Sequence, residues 1–454
     1  MNMTMMRRIF GMKIKKYLLH IGLLIAVVVS LVFSAIIWID PATFHRNTTQ
    51  TTTTNESGNS ADATVHYDLA DVYSPTGIAI TQNKQQTQLT SSKDNLISDL
   101  CKDLRKIKVQ QITVQNDKDF NTYRKDLLEN DNIILSYSNQ VSIGLFEKLI
   151  GRSEIAKQYE NQRFQHIVLP TANHREIYLL NDMNYKVYKL RLKTSIPEEV
   201  YRRVTAKDIQ QTPIEYQEIS KGHYIKNYPK GVTVSKYSYL INKENSSLFV
   251  THLLGASSSN SIATKEHDGV TTYTTDNGQR LVINSKDGTV NYVREGRANE
   301  DKKVSFNDAL KDGFDNLSHL GVSLDDVRYQ NYDESHHQVT YQSYINGYPI
   351  ISPNFYGTYE IGMQPNGATE YRFSVDDLQV PLPNNNQTVN LPPTSQVLQT
   401  LKSKNYNLGK VKNIIVGYQW TQNAGSQMVV DLTPTYFIRY NGNWINYQTL
   451  SQNH

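Results

Sequence analysis

Residues 18–39, LLHIGLLIAVVVSLVFSAIIWI, form an apolar run of 22 residues without formal charge when His20 is neutral. At 1.5 Å per helical residue such a run spans a hydrocarbon core. Arg7, Arg8, Lys13, Lys15 and Lys16 precede it, Asp40-Pro41 follow it, and Tyr17 and Trp38 stand at its two ends. Positive charge stays cytoplasmic and aromatic rings favour the membrane boundary. The pattern predicts a single-pass anchor at 18–39 in the cell membrane. The basic segment 1–17 is then cytoplasmic, and the bulk of the chain is extracellular. A cleaved signal peptide would have a shorter apolar core, about 7–15 residues, and a small-x-small site behind it. Ile36-Ile37-Trp38-Ile39 before Asp40-Pro41 offers no such site. Translation from Met12 instead of Met1 leaves three lysines ahead of the span and the same topology.

Residues 40–66 are Thr/Asn/Ser-rich and nearly devoid of apolar side chains. They cannot bury enough surface to offset chain entropy, so a flexible linker is expected. Order resumes at Tyr67. DVYSPTGIAI (71–80) reads as strand-like. Leu96, Ile97, Leu100, Cys101, Leu104 and Ile107 recur at helical spacing over 92–107, and a second helix is expected near 118–129. NIILSYS (132–138), RFQHIVLP (163–170), REIYLLND (175–182) and YKVYKLRL (185–192) read as strands, and SIGLFEKLI (142–150) as a short helix. These elements make an N-terminal α/β domain over 67–193. In a middle α+β domain, 194–300, YSYLIN (237–242) and SLFVTHLL (247–254) read as strands. IPEEVYRRV (196–204) and TAKDIQQ (205–211) stay open between helix and loop.

From residue 268 onward the turn chemistry is explicit. Asp268-Gly269, Asn277-Gly278, Asp287-Gly288, Asn346-Gly347, Asn366-Gly367 and Asn441-Gly442 supply the positive φ angles of hairpin turns. No such dipeptide occurs earlier. The later half is therefore expected to be rich in antiparallel sheet. Helices are expected at 305–320, with Ser305 as N-cap, and at 394–401, with Thr394 as N-cap. Each leads to a strand, VRYQNY (327–332) or VKNIIVGYQW (411–420). A C-terminal α+β domain, 301–454, would hold these repeat-like helix-plus-hairpin units. The fold class is α+β, multidomain and extracytoplasmic, behind one transmembrane helix.

Composition narrows the function. The net charge is +4 over 454 residues, and five of the positive charges flank the span, so no nucleic-acid footprint exists. Cys101 is the only cysteine, which rules out an intramolecular disulfide and a cysteine-built metal site. Its place on an apolar helical stripe predicts a buried, inert thiol. H-E-x-x-H, G-x-S-x-G, S-x-x-K, the Walker motif and G-x-G-x-x-G are all absent. His336-His337 reads as a turn flanked by Asp333 and Glu334. Asp325-Asp326 and Asp376-Asp377 read as solvated turn or cap residues, because adjacent acids do not give the separation that a glycosidase needs. No catalytic residue, cofactor or metal is expected. Seven tyrosines between 329 and 359 suit cross-strand packing better than a stacking platform. Gly22, Ala26, Ser30 and Ser34 recur every fourth residue along the anchor. Small residues at that spacing let another helix approach closely, so these four form the expected partner-helix face.

Three segments carry a family resemblance: KIKKYLLHIGLLIAVVVSLVFSAIIWIDPA (13–42), DVYSPTGIAI (71–80) and TPTYFIRYNGNWINY (433–447). In these and in overall layout the chain resembles the YycH family. The resemblance implies an accessory regulator of the essential cell-wall two-component system of low-GC Gram-positive bacteria. It implies two protein partners, the sensor histidine kinase WalK (YycG) and a YycI-like protein, met largely through membrane helices. It implies no catalytic residues, and it leaves the sign of regulation open. An exported envelope enzyme, or a tethered module binding wall polymer or peptide, are the competing readings. A cleft of converging carboxylates or histidines would favour the first, and a tyrosine-lined sheet face the second.

Overall fold

A computed structural model describes residues 67–91, 95–150, 156–220, 223–255, 261–296, 304–383 and 387–452. The anchor, the linker and Gly22, Ala26, Ser30 and Ser34 lie outside the described residues. Among the described residues no helix is long and apolar enough to cross a membrane. All of them belong to one compact unit, Tyr67–His454.

The first strands are β1 (Gly77–Gln82), β2 (Gln85–Thr90), β3 (Val109–Asn116), β4 (Asn132–Ser142), β5 (Arg163–Pro170), β6 (Glu176–Asn181), β7 (Lys186–Leu192), β8 (Gln210–Ser220) and β9 (His223–Asn227). They build a nine-stranded sheet in the order β3-β7-β6-β5-β4-β1-β2-β8-β9. Every pair in it is antiparallel. Its first hairpin turns at Asn83-Lys84, with φ of 51° and 63°, so a type I′ turn forms here without glycine.

Alternation divides this sheet into two faces. Ile133, Leu135, Ile167, Leu169, Ile177, Leu179 and Leu190 share a large core with the helices Leu96–Leu104, Ile143–Leu149 and Glu198–Val204. The same core takes in Leu310, Phe314 and Leu317 of the helix Phe306–Ser318. On the opposite face Ile134, Val168, Leu180 and Val187 form a small core with Tyr123 and Leu127, edged by the half-buried Leu128, Tyr178, Tyr185 and Tyr224.

The later strands are β10 (Val232–Ser235), β11 (Tyr237–Lys243), β12 (Ile262–His267), β13 (Val270–Thr275), β14 (Gln279–Asn284), β15 (Thr289–Arg294), β16 (Val327–Asp333), β17 (Gln338–Ile345) and β18 (Tyr348–Ile351). They continue as β19 (Thr358–Met363), β20 (Thr369–Ser374), β21 (Asp376–Pro381), β22 (Thr388–Leu391), β23 (Val411–Gln422), β24 (Val429–Tyr440) and β25 (Asn443–Asn446). Apart from the small β10–β22 pair they join one extended sheet, in which β18–β23 is the parallel contact among the described residues. The six Asn-Gly or Asp-Gly steps named above lie between antiparallel neighbours, whereas a seventh, Asp312-Gly313, lies inside the helix Phe306–Ser318. At Asp268-Gly269, Asn346-Gly347 and Asn441-Gly442 both residues have positive φ, and at the other three only the glycine does. The result is a sheet-rich α+β fold. Ser305 caps its helix by accepting from Asp308 N at 3.2 Å. Gly313 lets that helix lie against β17, since a Cβ there would meet Tyr341 Oη at 2.7 Å and Val339 Cγ2 at 2.8 Å.

Several local expectations are corrected. Residues 247–254 are not a strand: Asn245 caps a helical turn, Ser246–Phe249, which continues as a wider π turn to Gly255. Periodicity alone cannot assign so short an apolar run. Residues 71–76 are not strand either, because Asp68 caps the helical turn Leu69–Val72 and the strand begins only at Gly77. Thr394 is not the cap of its helix. Pro393 holds that position, and the Thr394 hydroxyl accepts instead from Tyr228 N at 3.0 Å. Asp376-Asp377 is not a solvated turn but opens β21. Asp376 is buried, and the Asp377 carboxyl is pushed up to about 7 by burial and by the nearby charges of Glu244 and Asp325. Asp325-Asp326 does lie in an exposed turn, with Asp326 at φ 52°.

Candidate functional site: a buried polar relay beneath a small groove

The groups able to do chemistry converge on the less covered face of the nine-stranded sheet. Gly77 of β1, Ser136 of β4 and His166 of β5 are neighbours across the ladder. Ser136 Oγ lies 2.8 Å from His166 Nδ1, and His166 Nε2 lies 3.1 Å from an Asp182 carboxylate oxygen. The other Asp182 oxygen accepts from the hydroxyl of Tyr123, and Ser136 Oγ also meets Tyr216 Oη at 3.1 Å. Ser136, His166 and Asp182 are each at most 5 % exposed. Burial and the Asp182 charge hold the Tyr123 phenol well above its usual range, so it donates as a neutral hydroxyl.

Two elements frame this relay. The helix Phe120–Arg124 continues as a π turn, Lys125–Glu129, which sends Leu127 into the small core and packs the half-buried Leu128 against its edge, where it lines the groove. The β8–β9 ribbon folds back over the same face. Tyr216 of β8 reaches Ser136, and a side chain at Gly77 would meet Lys226 Nζ of β9 at 2.6 Å. The first contact passes over β1 and β2, and the second over β2 and β8. Between helix and ribbon lies an open groove of about 320 Å³, lined by Phe120, Arg124, Leu128, Glu215–Glu218 and Tyr224.

Two more titratable groups sit here. Burial pushes the Asp126 carboxyl up to about 6, opposed by Lys125 and by a 3.1 Å hydrogen bond from Asn130 Nδ2. Burial also pulls the Lys226 amine down to about 8, with no opposing partner.

A serine, a histidine and an aspartate in contact invite comparison with acyl-transfer enzymes. The surroundings argue otherwise. Ser136 stands mid-strand, paired on both sides, and Ser136 O accepts from Thr76 N at 2.8 Å. Ser136 is buried, and its hydroxyl is taken up by His166 and Tyr216. The relay satisfies its own polar groups on a face that also buries Thr81, Gln86, Gln88 and Asn132.

None of these residues was singled out from the sequence. Their signal was a polar residue in a buried strand run: Ser136 in NIILSYS, His166 in RFQHIVLP, and Asp182 at the end of REIYLLND. Cys101 lies buried, its thiol pushed up to about 12 by burial. His336 lies in an exposed turn, its Nδ1 2.9 Å from Asp333. Neighbouring donors from Ser335 and His336 hold the Asp333 carboxyl at about 2. Among the described residues no group of three His, Cys, Asp or Glu side chains could hold a metal ion. Tyr329, Tyr341, Tyr344, Tyr348 and Tyr359 are buried and pack across strands, so they form no stacking platform.

Residues 14–210 match the family model of the YycH protein N-terminal domain, and residues 221–453 that of the YycH protein C-terminal domain. The crystal structure of YycH from Bacillus subtilis is similar, with a TM-score of 0.66 at 16 % identity over 84 % of this chain and 97 % of that one. At that identity the likeness is one of fold. A crystal structure of an uncharacterized protein from Eubacterium rectale aligns at 12 % identity over 51 % of this chain and 88 % of that one. Its TM-score of 0.31 carries no argument. No curated protein matches the chain in sequence. With both family domains matched over most of its length, the chain belongs to the YycH family, whose members are regulators of the WalK (YycG) two-component system.

Proposed function

We propose that this protein is a membrane-anchored extracytoplasmic regulator that contacts a WalK-like sensor histidine kinase together with a YycI-like protein, through helices inside the membrane. One observation carries this reading. The match to the N-terminal family domain begins at residue 14, so it includes the apolar run 18–39 and the small residues Gly22, Ala26, Ser30 and Ser34. Inside a bilayer, close backbone approach and hydrogen bonds from serine decide helix association, each good polar contact contributing about 1 kcal/mol or less. The anchor retains the protein in the membrane with its N-terminus cytoplasmic, and residues from 40 onward face outward.

The test replaces Gly22 and Ala26 together with Leu in the full chain, with Leu24→Ala and Val28→Ile as controls on the other side of the helix. The small-face variant should stop co-purifying with the kinase or the YycI-like protein and should change wall-hydrolase expression. The controls should do neither. Normal co-purification and unchanged expression in the small-face variant would refute this contact.

A further inference from the structure

The groove between the Phe120–Glu129 helix and the β8–β9 ribbon carries features that the membrane contact does not use. Its walls include the aromatic side chains of Phe120, Tyr216 and Tyr224. Glu215 and Glu218 bring two negative charges, while the one cation, Arg124, already faces Glu129 at 3.7 Å. Glu218 accepts from Tyr185 Oη at 3.0 Å and is thereby fixed in place. The Tyr224 hydroxyl is buried beside the Glu218 carboxylate. Burial first, then the charges of Glu218 and Asp182, raise the Tyr224 phenol above its usual range. Phe120 and Tyr185 pack 5.0 Å apart at the rim, where Phe120 remains 37 % exposed and Met183, two residues before Tyr185, 47 % exposed.

Aromatic faces combined with carboxylates recognise cations, because the ring quadrupole and the negative charge attract the same ligand. The volume of about 320 Å³ is at the small end of ligand sites. It suits one long side chain better than a large molecule. We propose that this groove binds a lysine or arginine side chain presented by an exposed segment of a partner protein. The alkyl stem lies against Phe120 and Leu128. The charged head reaches the Glu218 carboxylate beside the Tyr224 hydroxyl, while Glu215, which accepts from Asn227 Nδ2 at 3.2 Å, adds negative charge nearby. Beneath it the relay from Tyr216 through Ser136, His166 and Asp182 to Tyr123 fixes the floor, since Tyr216 lines the groove and Tyr123 lies 6.2 Å from the Tyr224 ring. This site does not depend on the membrane-helix contact proposed above.

The test uses the full chain in detergent micelles and three probes: acetyl-Ala-Ala-Lys-Ala-Ala-amide and its norleucine and glutamate counterparts. Saturation-transfer NMR reads contact with the central side chain. The lysine peptide should show transfer at its terminal methylene protons, weakened by salt because screening shortens at high ionic strength. The norleucine and glutamate peptides should show little. Glu218→Gln keeps an acceptor for Tyr185 but removes the charge, and Tyr224→Phe removes only the hydroxyl. Glu218→Gln should lower the lysine signal about fivefold or more and Tyr224→Phe by a smaller factor. Equal transfer to all three peptides, or a lysine signal unchanged in Glu218→Gln with an unaltered melting curve, would overturn the proposal. Transfer to free methylammonium with none to the lysine peptide would overturn it as well, since that is a site for a small amine and not for a protein side chain.

Discussion

The two faces of the nine-stranded sheet are built from alternate residues of the same strands, yet they differ in kind. One face is continuous with the core of the later half: Leu135, Ile167 and Leu179 share a cluster with Leu310, Phe314 and Tyr341. Its polar groups are few and paired, as where Ser142 Oγ donates to Asn307 Oδ1 at 2.6 Å and Tyr329 Oη to Gln140 O at 2.8 Å. The other face has a core of six buried residues, a histidine–aspartate contact, a desolvated lysine and an open groove. A sheet buried on one side and half-covered on the other separates stability from recognition. The first face fixes the fold, and the second collects the groups that can respond to a ligand or a proton.

Breaking the first face should cost most. Leu135→Ala removes a fully buried side chain and should destabilise by about 2–5 kcal/mol in chemical denaturation. On the second face Asp182→Ala strands both His166 and Tyr123, and a loss of about 3 kcal/mol is expected by the same measurement. A loss under about 1 kcal/mol would mean that the relay is incidental to stability.

Lys226→Met should have the opposite sign. The folded-state amine lies near 8, below its ordinary 10.5, so the unfolded chain binds the extra proton between those values. In the parent chain this group makes stability rise from about pH 8 to about pH 10.5, while below pH 8 the full cost of burying the charge is present. The substitution should therefore stabilise by about 1–3 kcal/mol at pH 7, with the gain shrinking as pH climbs through that window. A gain constant with pH would show that packing and not charge is responsible. The smallest effect is expected at the groove rim, where Phe120→Ala should change stability by less than about 1 kcal/mol because the ring is already partly in water. A larger change would join the rim to the core and blur the distinction between the faces.

Much of the fold was legible in the chain. The strands 163–170 and 411–420, the Ser305 cap and the six glycine turns follow from alternation, capping and positive φ, all local properties. The misreadings came where tertiary partners decide. Thr394 has a capping side chain, but its hydroxyl is engaged by Tyr228, 166 positions away. Residues 247–254 read as a strand, yet Phe249 and Leu254 reach the large core from a helical turn. The turn at Asn83-Lys84 was hidden because it lacks glycine. The groove and relay were not legible at all. Their members are scattered from 120 to 226, and only the fold-back of β8–β9 brings them together.

The helical turn at Leu69–Val72 begins the described chain, yet it is fastened from far away. Tyr67 Oη donates to Val322 O at 3.0 Å, and Tyr73 Oη meets Tyr341 Oη at 2.9 Å across 268 positions. Contacts of such range form late, because the intervening loop must close before they can reward the chain. During synthesis the hydroxyl contacts of Tyr67 and Tyr73 therefore wait until 255 and 268 further residues have emerged, while the Arg105 pairs with Asp68 and Asp71 can form earlier. The stretch nearest the N-terminal end of the unit is among the last to lock. In pulsed hydrogen exchange during refolding, the amides of Val72 and Tyr73 should gain protection together with those of β17, after those of the β5–β6 hairpin.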